Sequence, residues 1–278
     1  LKIEDGCANF CSYCIIPYSR GRVRSLEAER AASLAAGLAA EGYKELVLTG
    51  IEIASWGFDL PGRPGLADCV CAVAGAAPGV RIRLGSIEPT AVTEDFCARL
   101  AELPGLCPHF HLSMQSGSDG VLKRMNRKYD TAEFYAVCER LRRYFPGCAL
   151  TTDLITGFPG ESEAEFAETL AFIRKCGFAQ MHVFPYSRRP GTKADALPGQ
   201  LTHAVKNERA RAAHEAALEM QREYLESCVG SVQSVLFESE KAPLCLGHAP
   251  NYMPVSVEGE GLRGLVKNVK ITAVEGQM

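Results

Sequence analysis

Gly6-Cys7-Ala8-Asn9-Phe10-Cys11-Ser12-Tyr13-Cys14 sets three of the chain's twelve cysteines in a C-x3-C-x2-C spacing, with Pro17 just beyond. Three thiols in so short a loop do not all fit into a core. The other nine, Cys69, Cys71, Cys97, Cys107, Cys138, Cys148, Cys176, Cys228 and Cys245, are scattered through apolar or helical stretches. There a free cysteine packs as a small hydrophobe. Zinc prefers four nitrogen or sulfur ligands, and the chain offers no signature for a fourth; His109 and His111 alternate along one strand. Iron–sulfur clusters normally take four cysteines. With three, a 4Fe-4S cluster keeps one iron open for another ligand.

Outward from this loop the pattern is strand then helix, repeated. Leu1 to Ile3 reads as a short strand running into the loop, and Leu26 to Glu41, rich in Ala, Leu and Glu, reads as a helix. Strands follow at Glu45 to Thr49, Val80 to Leu84, Phe110 to Met114, Ala149 to Ile155 and Gln180 to Phe184. Helix-like stretches such as Thr93 to Leu103 and Ala132 to Tyr144 lie between them. This alternation predicts an α/β fold with a parallel sheet and right-handed crossovers. Six units make either an open doubly wound sheet or an incomplete barrel, and both put chemistry at the C-terminal strand ends. Polar residues cluster at those ends: Thr49, Gly50 and Glu52; Ser86 and Glu88; Gln115 and Ser116; Thr156 to Gly160; Tyr186 and Ser187.

From Leu201 a long charged helix reaches about Ser227. Beyond Gly230 the period changes to two, at Val232, Val235 and Phe237 and then Val255, Val257, Leu265, Val266, Val269 and Ile271, which predicts a small all-β barrel. The expected division is residues 1–226 and 227–278. With 278 residues, 47% hydrophobic and a formal net charge of −3, the chain is excluded from the disordered and disulfide-stapled classes. It has no apolar run of 18 residues, and its first residues do not read as a signal or transit peptide. The expectation is a cytoplasmic protein with no membrane contact. The absence of an initiator Met suggests a fragment.

The cysteine run resembles the signature of the radical S-adenosylmethionine enzymes, C-x3-C-x-aromatic-C at the mouth of a partial (β/α)6 barrel. That resemblance implies that Cys7, Cys11 and Cys14 hold a 4Fe-4S cluster. Its open iron would chelate the amino and carboxylate groups of S-adenosylmethionine, whose reductive cleavage yields a 5′-deoxyadenosyl radical. It also implies cofactor contacts from Tyr13 beside the adenine, from the strand end Thr49, Gly50 and Glu52, and from Ser86 and Glu88 at the third strand end. Gln115 and Asp153 would face cofactor or substrate, and Gly157 and Phe158 open a loop like the family's adenine-side loop. Catalytic residues beyond the cluster ligands are not named by the resemblance.

Longer blocks narrow the likeness to the radical methylthiotransferases. They are Cys14 to Ser25, Leu84 to Pro89, His111 to Asp119, Val121 to Tyr129 and His182 to Ser187. Among the branches, the chain looks most like the threonylcarbamoyladenosine tRNA enzymes, which modify C2 of an adenosine beside the anticodon. Position 52 departs from that branch, which usually has His where this chain has Glu52. The isopentenyladenosine tRNA branch and the ribosomal-protein aspartate branch share the scaffold. The implied partners are the tRNA anticodon stem-loop and an electron donor of flavodoxin type. Full-length relatives carry an N-terminal domain with a second 4Fe-4S cluster, so the expectation is that Leu1 begins after it. The C-terminal segment resembles the TRAM module, a small RNA-binding barrel. Basic residues at Arg20, Arg22 and Arg24, at Lys123, Arg124, Arg127 and Lys128, and at Arg188, Arg189 and Lys193 are expected to form an RNA-facing rim. The competing readings are another radical reaction on the same barrel and a noncatalytic RNA-binding module with a structural zinc.

Overall fold

A computed structural model describes residues 1–275. The chain begins with an extended segment whose Lys2 pairs in parallel with Thr49. It continues through β1 (Glu4–Asp5), α1 (Ile16–Arg20), β2 (Arg24–Ser25), α2 (Ala28–Ala40), β3 (Glu45–Leu48), α3 (Leu66–Ala76), β4 (Arg81–Leu84), α4 (Glu94–Ala101) and β5 (His109–Gln115). Then come α5 (Asp119–Arg124), α6 (Thr131–Tyr144), β6 (Ala149–Thr156), α7 (Glu163–Cys176), β7 (Gln180–Pro185) and α8 (His203–Ser227). Four strands end the chain: β8 (Val232–Lys241), β9 (Leu244–His248), β10 (Pro254–Glu258) and β11 (Val266–Lys270).

The helices start where side chains can satisfy their first free N–H groups. Thr93 caps α4, and Asp130 with Glu133 and Ser162 with Glu165 form capping boxes on α6 and α7. Thr202 caps α8. Among the described residues no helix is long and apolar enough to cross a membrane.

Six parallel segments lie side by side. The Leu1–Ile3 segment meets Thr49 at the end of β3, β3 pairs with β4, and β4 reaches β5 through bridges Ile82–Leu106 and Ile87–Leu112. β5 pairs with β6, and β6 with β7. Phe110, Leu112, Met114, Leu150 and Leu154 point into the helix-covered core, which also holds Trp56, Ile82, Phe134 and Phe178. By the two-residue alternation of strands, His109, His111, Thr151 and Asp153 face the concave interior. All six C-terminal ends share one rim, as the strand alternation predicts.

Three features go beyond the sequence reading. β1 and β2 pair antiparallel, Glu4 with Ser25 and Asp5 with Arg24, closing the base of the cysteine loop. Helix α3 is a further outer element. The C-terminal strands form an antiparallel sheet in the order β10-β9-β8-β11, and among the described residues no ladder joins β10 to β11. The expected barrel is therefore present as a four-stranded sheet with a shifted register between Phe237 and Ser239, a bulge of the kind that bends a sheet.

This sheet is fastened to the base of the core. Arg83, only 4% exposed at its side chain, forms two hydrogen bonds to Glu45 at 2.6 and 3.0 Å and one to the Pro250 carbonyl at 2.9 Å. Arg81 donates to the Ser234 carbonyl and to its hydroxyl. The Tyr252 ring lies under the Arg83 guanidinium at 4.8 Å and against the His109 ring at 5.2 Å.

Candidate functional site

The cysteine loop is shaped by backbone first. Gly6 adopts φ +92°, and a Cβ there would run into the Arg22 carbonyl, so only glycine lets the two sides of the loop approach. Cys7 N–H donates to the Gly21 carbonyl at 3.1 Å, and Cys14 N–H to the Cys11 carbonyl at 3.0 Å. The far side is pinned to the turn after α5: Ser12 N–H binds the Met125 carbonyl at 2.9 Å, and Ser12 Oγ donates to the Arg124 carbonyl at 2.8 Å. Asn126 Nδ2 donates to the Phe10 carbonyl at 2.9 Å.

All three thiols are unpaired and half-buried. Asn9 N–H points at the Cys7 sulfur at 3.5 Å, and an Arg127 Nη1–H donates to the Cys11 sulfur at 3.2 Å. Burial pushes the Cys7 thiol up to about 11 and raises Cys14. Among the described residues no three His, Cys, Asp or Glu side chains converge on a single ion. A structural zinc needs that convergence. A cubane instead presents a separate iron to each thiolate, so its ligands surround it. Three free thiols on one pinned loop, with N–H donors directed at two sulfurs, fit that group.

The sequence places Arg127 in an RNA-facing basic rim, and the structure corrects this. Its side chain is 4% exposed, and besides Cys11 it binds Glu88 at 2.6 Å, the Ser113 carbonyl at 2.8 Å and the Tyr129 hydroxyl at 2.9 Å. Burial raises the Glu88 carboxyl above its ordinary range, against the pull of that guanidinium. No local pattern separates Arg127 from exposed Lys123 and Lys128; only the contact to the cysteine loop does.

Tyr13, Cys14, Gln115 and Asp153 line one cleft of about 470 Å3, together with Ile15, Ile16, Ile155, Phe184, Pro185, Tyr186, Ser187 and Arg189. Gln115 reaches it because the β5–β6 register shifts between Leu112 and Gln115, and Gln115 itself takes φ +67°. Tyr13 packs edge-on to Phe158 at 6.4 Å, and Phe158 in turn to Tyr186 at 5.3 Å. Phe158 is fully buried, supporting Tyr13 from behind. Tyr186 and Arg189 complete the cleft, the latter hidden in the sequence as one member of a basic run. Aromatic walls, two amide or carboxylate side chains and one cation suit a ligand with a planar ring and charged polar groups.

The remaining expected residues lie outside that lining. Thr49 holds the first segment through its backbone, receiving Ile3 N–H at 2.8 Å and donating to the Leu1 carbonyl at 3.0 Å. Gly50 passes so close to Glu4 that a Cβ would sit 2.6 Å from Glu4 Oε2. Glu52 N–H donates to Glu4 Oε2 at 2.8 Å, while its carboxylate accepts Ala54 N–H at 3.0 Å and the Ser55 hydroxyl. Burial raises Glu52. Ser86 is exposed. Gly157 donates its N–H to Glu161 at 2.8 Å, and Glu161 is paired with the buried Arg209 at 2.7 Å.

Comparison with known proteins agrees with this geometry. The family model described as Radical SAM superfamily matches residues 1–173. Threonylcarbamoyladenosine tRNA methylthiotransferase MtaB of Bacillus subtilis is 40% identical over 279 residues, covering 98% of this chain and 61% of that protein. The tRNA-2-methylthio-N(6)-dimethylallyladenosine synthase of Syntrophomonas wolfei is 38% identical over 276 residues, covering 98% of this chain and 62% of that protein. The chain thus spans less than two thirds of these curated relatives. Among solved structures, the radical S-adenosylmethionine methyltransferase TsrM from Kitasatospora setae aligns with a TM-score of 0.58 at 16% identity, over 84% of this chain and 41% of that one. Coproporphyrinogen III oxidase HemN from Escherichia coli aligns at 0.55 and 13% identity, over 90% of this chain and 64% of that one; at such identities the likeness is one of fold. With a pinned three-cysteine loop on the rim of six parallel strands and a family model spanning most of that region, the chain belongs to the Radical SAM superfamily.

Proposed function

We propose that this chain is the catalytic part of a tRNA methylthiotransferase that acts at C2 of N6-threonylcarbamoyladenosine beside the anticodon. The observation that carries the reading is the 40% identity to the Bacillus subtilis enzyme along 98% of the chain. Cys7, Cys11 and Cys14 would hold a 4Fe-4S cluster with one iron left for S-adenosylmethionine. When bound, these cofactors supply the radical chemistry, and the protein's task is placement.

The chain's own residues do the placing. Arg127 fixes the Cys11 sulfur by a charge-assisted hydrogen bond and is itself locked by Glu88. Tyr13, backed by Phe158, offers a ring face for an adenine. Gln115 and Asp153 offer hydrogen bonds to the cofactor or the target nucleoside, and Arg189 a positive charge to a carboxylate or phosphate. Thr49, Gly50 and Glu52 shape the strand end beside the cysteine loop, with Ser86 exposed at the next end and the Gly157 loop closing the rim. In this reading residues 227–278 act as a TRAM-like RNA-binding module behind residues 1–226, the tRNA anticodon stem-loop is the substrate, and a flavodoxin-type protein in the cytoplasm donates the electron.

A second reading, methylthiolation of isopentenyladenosine, is favoured by the 38% identity to the Syntrophomonas wolfei enzyme. Nucleoside mass spectrometry decides between them. A strain lacking the gene should lose the methylthio group from threonylcarbamoyladenosine and regain it on complementation. Loss from the isopentenyl nucleoside instead supports the second reading, and unchanged methylthio nucleosides overturn both.

A further inference from the structure

Helix α8 begins with two buried cations that the functional reading leaves unused. Lys206 is 5% exposed and Arg209 4%. The first turn of a helix carries the positive end of its dipole and favours anions, and a buried charge needs a partner, so an ammonium at Lys206 runs against both preferences. Burial lowers Lys206 below the ordinary lysine range. An apolar side chain would serve packing alone. The groups that the two cations reach account for their presence.

Both reach the wall of the cleft. Lys206 Nζ donates to the Tyr186 carbonyl at 3.1 Å and lies 4.9 Å from the centre of the Tyr186 ring. Tyr186 N–H donates to the Thr156 carbonyl at 2.8 Å, so this cleft residue is pinned from two sides. Arg209 Nη1 donates to Glu161 Oε2 at 2.7 Å and to the Glu161 carbonyl at 2.9 Å, and the same Oε2 accepts the Gly157 N–H at 2.8 Å. Gly157, at φ +70°, lies directly against the helix. A Cβ there would sit 2.5 Å from Lys206 Cγ and 3.2 Å from Lys206 Cα. Phe158, Tyr186 and Ala194 belong to a small apolar cluster apart from the main core, and Tyr13 and Ile155 of the cleft pack on it. Ala194 N–H in turn donates to the Ser12 carbonyl of the cysteine loop at 2.8 Å.

We propose that Lys206 and Arg209 are positioning residues for the adenosyl group, clamping the Gly157 to Glu161 loop and the Tyr186 strand end onto α8 so that the cleft wall is held at a fixed distance from Tyr13. Lys206 acts through Tyr186, and Arg209 acts through Glu161 and Gly157. The helix that leads to the C-terminal sheet is thereby part of the cofactor site. This inference rests on the reading of the cleft as the seat of the adenine of S-adenosylmethionine.

Titration calorimetry of the full chain with 5′-deoxyadenosine tests the clamp without turnover. Lys206→Met keeps the length of the side chain and removes the charge and the hydrogen bond. Its melting temperature should stay at or above that of the wild type, as an apolar residue replaces a buried charge, while 5′-deoxyadenosine binds several-fold more weakly. Arg209→Lys keeps the charge but loses the fork, and should weaken binding less than Arg209→Met does. Amide hydrogen exchange should quicken at Gly157 and Tyr186 in Lys206→Met and stay unchanged along β5. Unchanged affinity in Lys206→Met, or weaker binding that only tracks a loss of melting temperature across the variants, assigns the cations to packing and overturns the clamp. A wild type that binds no 5′-deoxyadenosine overturns it as well. A chain that passes these tests, while deletion of its gene leaves every methylthio nucleoside unchanged, refutes the tRNA reading and upholds the clamp.

Discussion

The guanidinium of Arg127 lies 3.2 Å from the Cys11 sulfur and 2.6 Å from a Glu88 carboxylate oxygen, joining the cysteine loop to the third strand end. Both side chains of the ion pair are below 10% exposed, at 4% and 9%. Truncating one partner of such a pair strands the other charge. Arg127→Ala is expected to destabilise the protein by about 3–5 kcal/mol and to lower iron retention after reconstitution. Arg127→Lys keeps the charge but loses the fork, and should fall between. Urea denaturation and iron assays on the same preparations check both effects.

Gly6→Ala tests the closure of the loop. The added methyl would clash with the Arg22 carbonyl at a backbone angle that alanine rarely adopts. The β1–β2 pairing should open, and the expected outcome is loss of bound iron with much of the helical circular dichroism retained. The core under α3, α4 and α6 lies away from this loop, which is why the damage should stay local.

Glu4 gives a pH signature. It is 2% exposed, one of its oxygens has no partner, and burial, with the Glu52 carboxylate adding to it, raises it from 4.5 to about 7. A carboxyl whose folded value lies above its unfolded value favours the fold while protonated. Its contribution is complete below pH 4.5 and is lost as pH rises through about 7. Glu4→Gln should therefore melt close to the wild type at pH 4.5 and above it at pH 8. Thermal melts of the pair across this range, compared as differences, isolate Glu4 from other titrating groups.

Arg83 fastens the C-terminal sheet through the Pro250 carbonyl and the Tyr252 ring while its other face is held by Glu45. Arg83→Ala removes the Pro250 and Tyr252 contacts and leaves Glu45 only Arg81 at 3.8 Å, loosening the sheet on the core. Limited proteolysis should then cut between the end of α8 and β8, near Cys228 to Ser231, several-fold faster than in the wild type. Equal cleavage rates would show that the Arg81 contacts alone hold the sheet.

The strands under the helices were legible because their apolar runs are bounded by glycine, proline and polar clusters. Observed ends such as Ala149–Thr156 and Gln180–Pro185 fall within a residue or two of the pattern. The cysteine loop was legible from its spacing, while Tyr13, Gln115 and Asp153, which line the cleft, were pointed to by the family resemblance and their place near the strand ends. What the sequence hid is tertiary. Arg127 turns inward from a basic run, because its partners Cys11 and Glu88 lie 116 and 39 residues away. Phe158 sits behind Tyr13 rather than beside it in the cleft lining, a matter of packing depth that no local pattern encodes. The β1–β2 pair is two residues long on each side, too short for a periodicity to form.

In the proposed function Cys7, Cys11 and Cys14 hold a cluster that cleaves S-adenosylmethionine. The direct measurement is anaerobic reconstitution with iron and sulfide, followed by addition of S-adenosylmethionine and a strong reductant and quantitation of 5′-deoxyadenosine. The expected result is about four irons per chain, formation of 5′-deoxyadenosine, and loss of both in Cys14→Ala. Zinc in place of iron and sulfide, or a fully loaded protein that releases no 5′-deoxyadenosine, would contradict it.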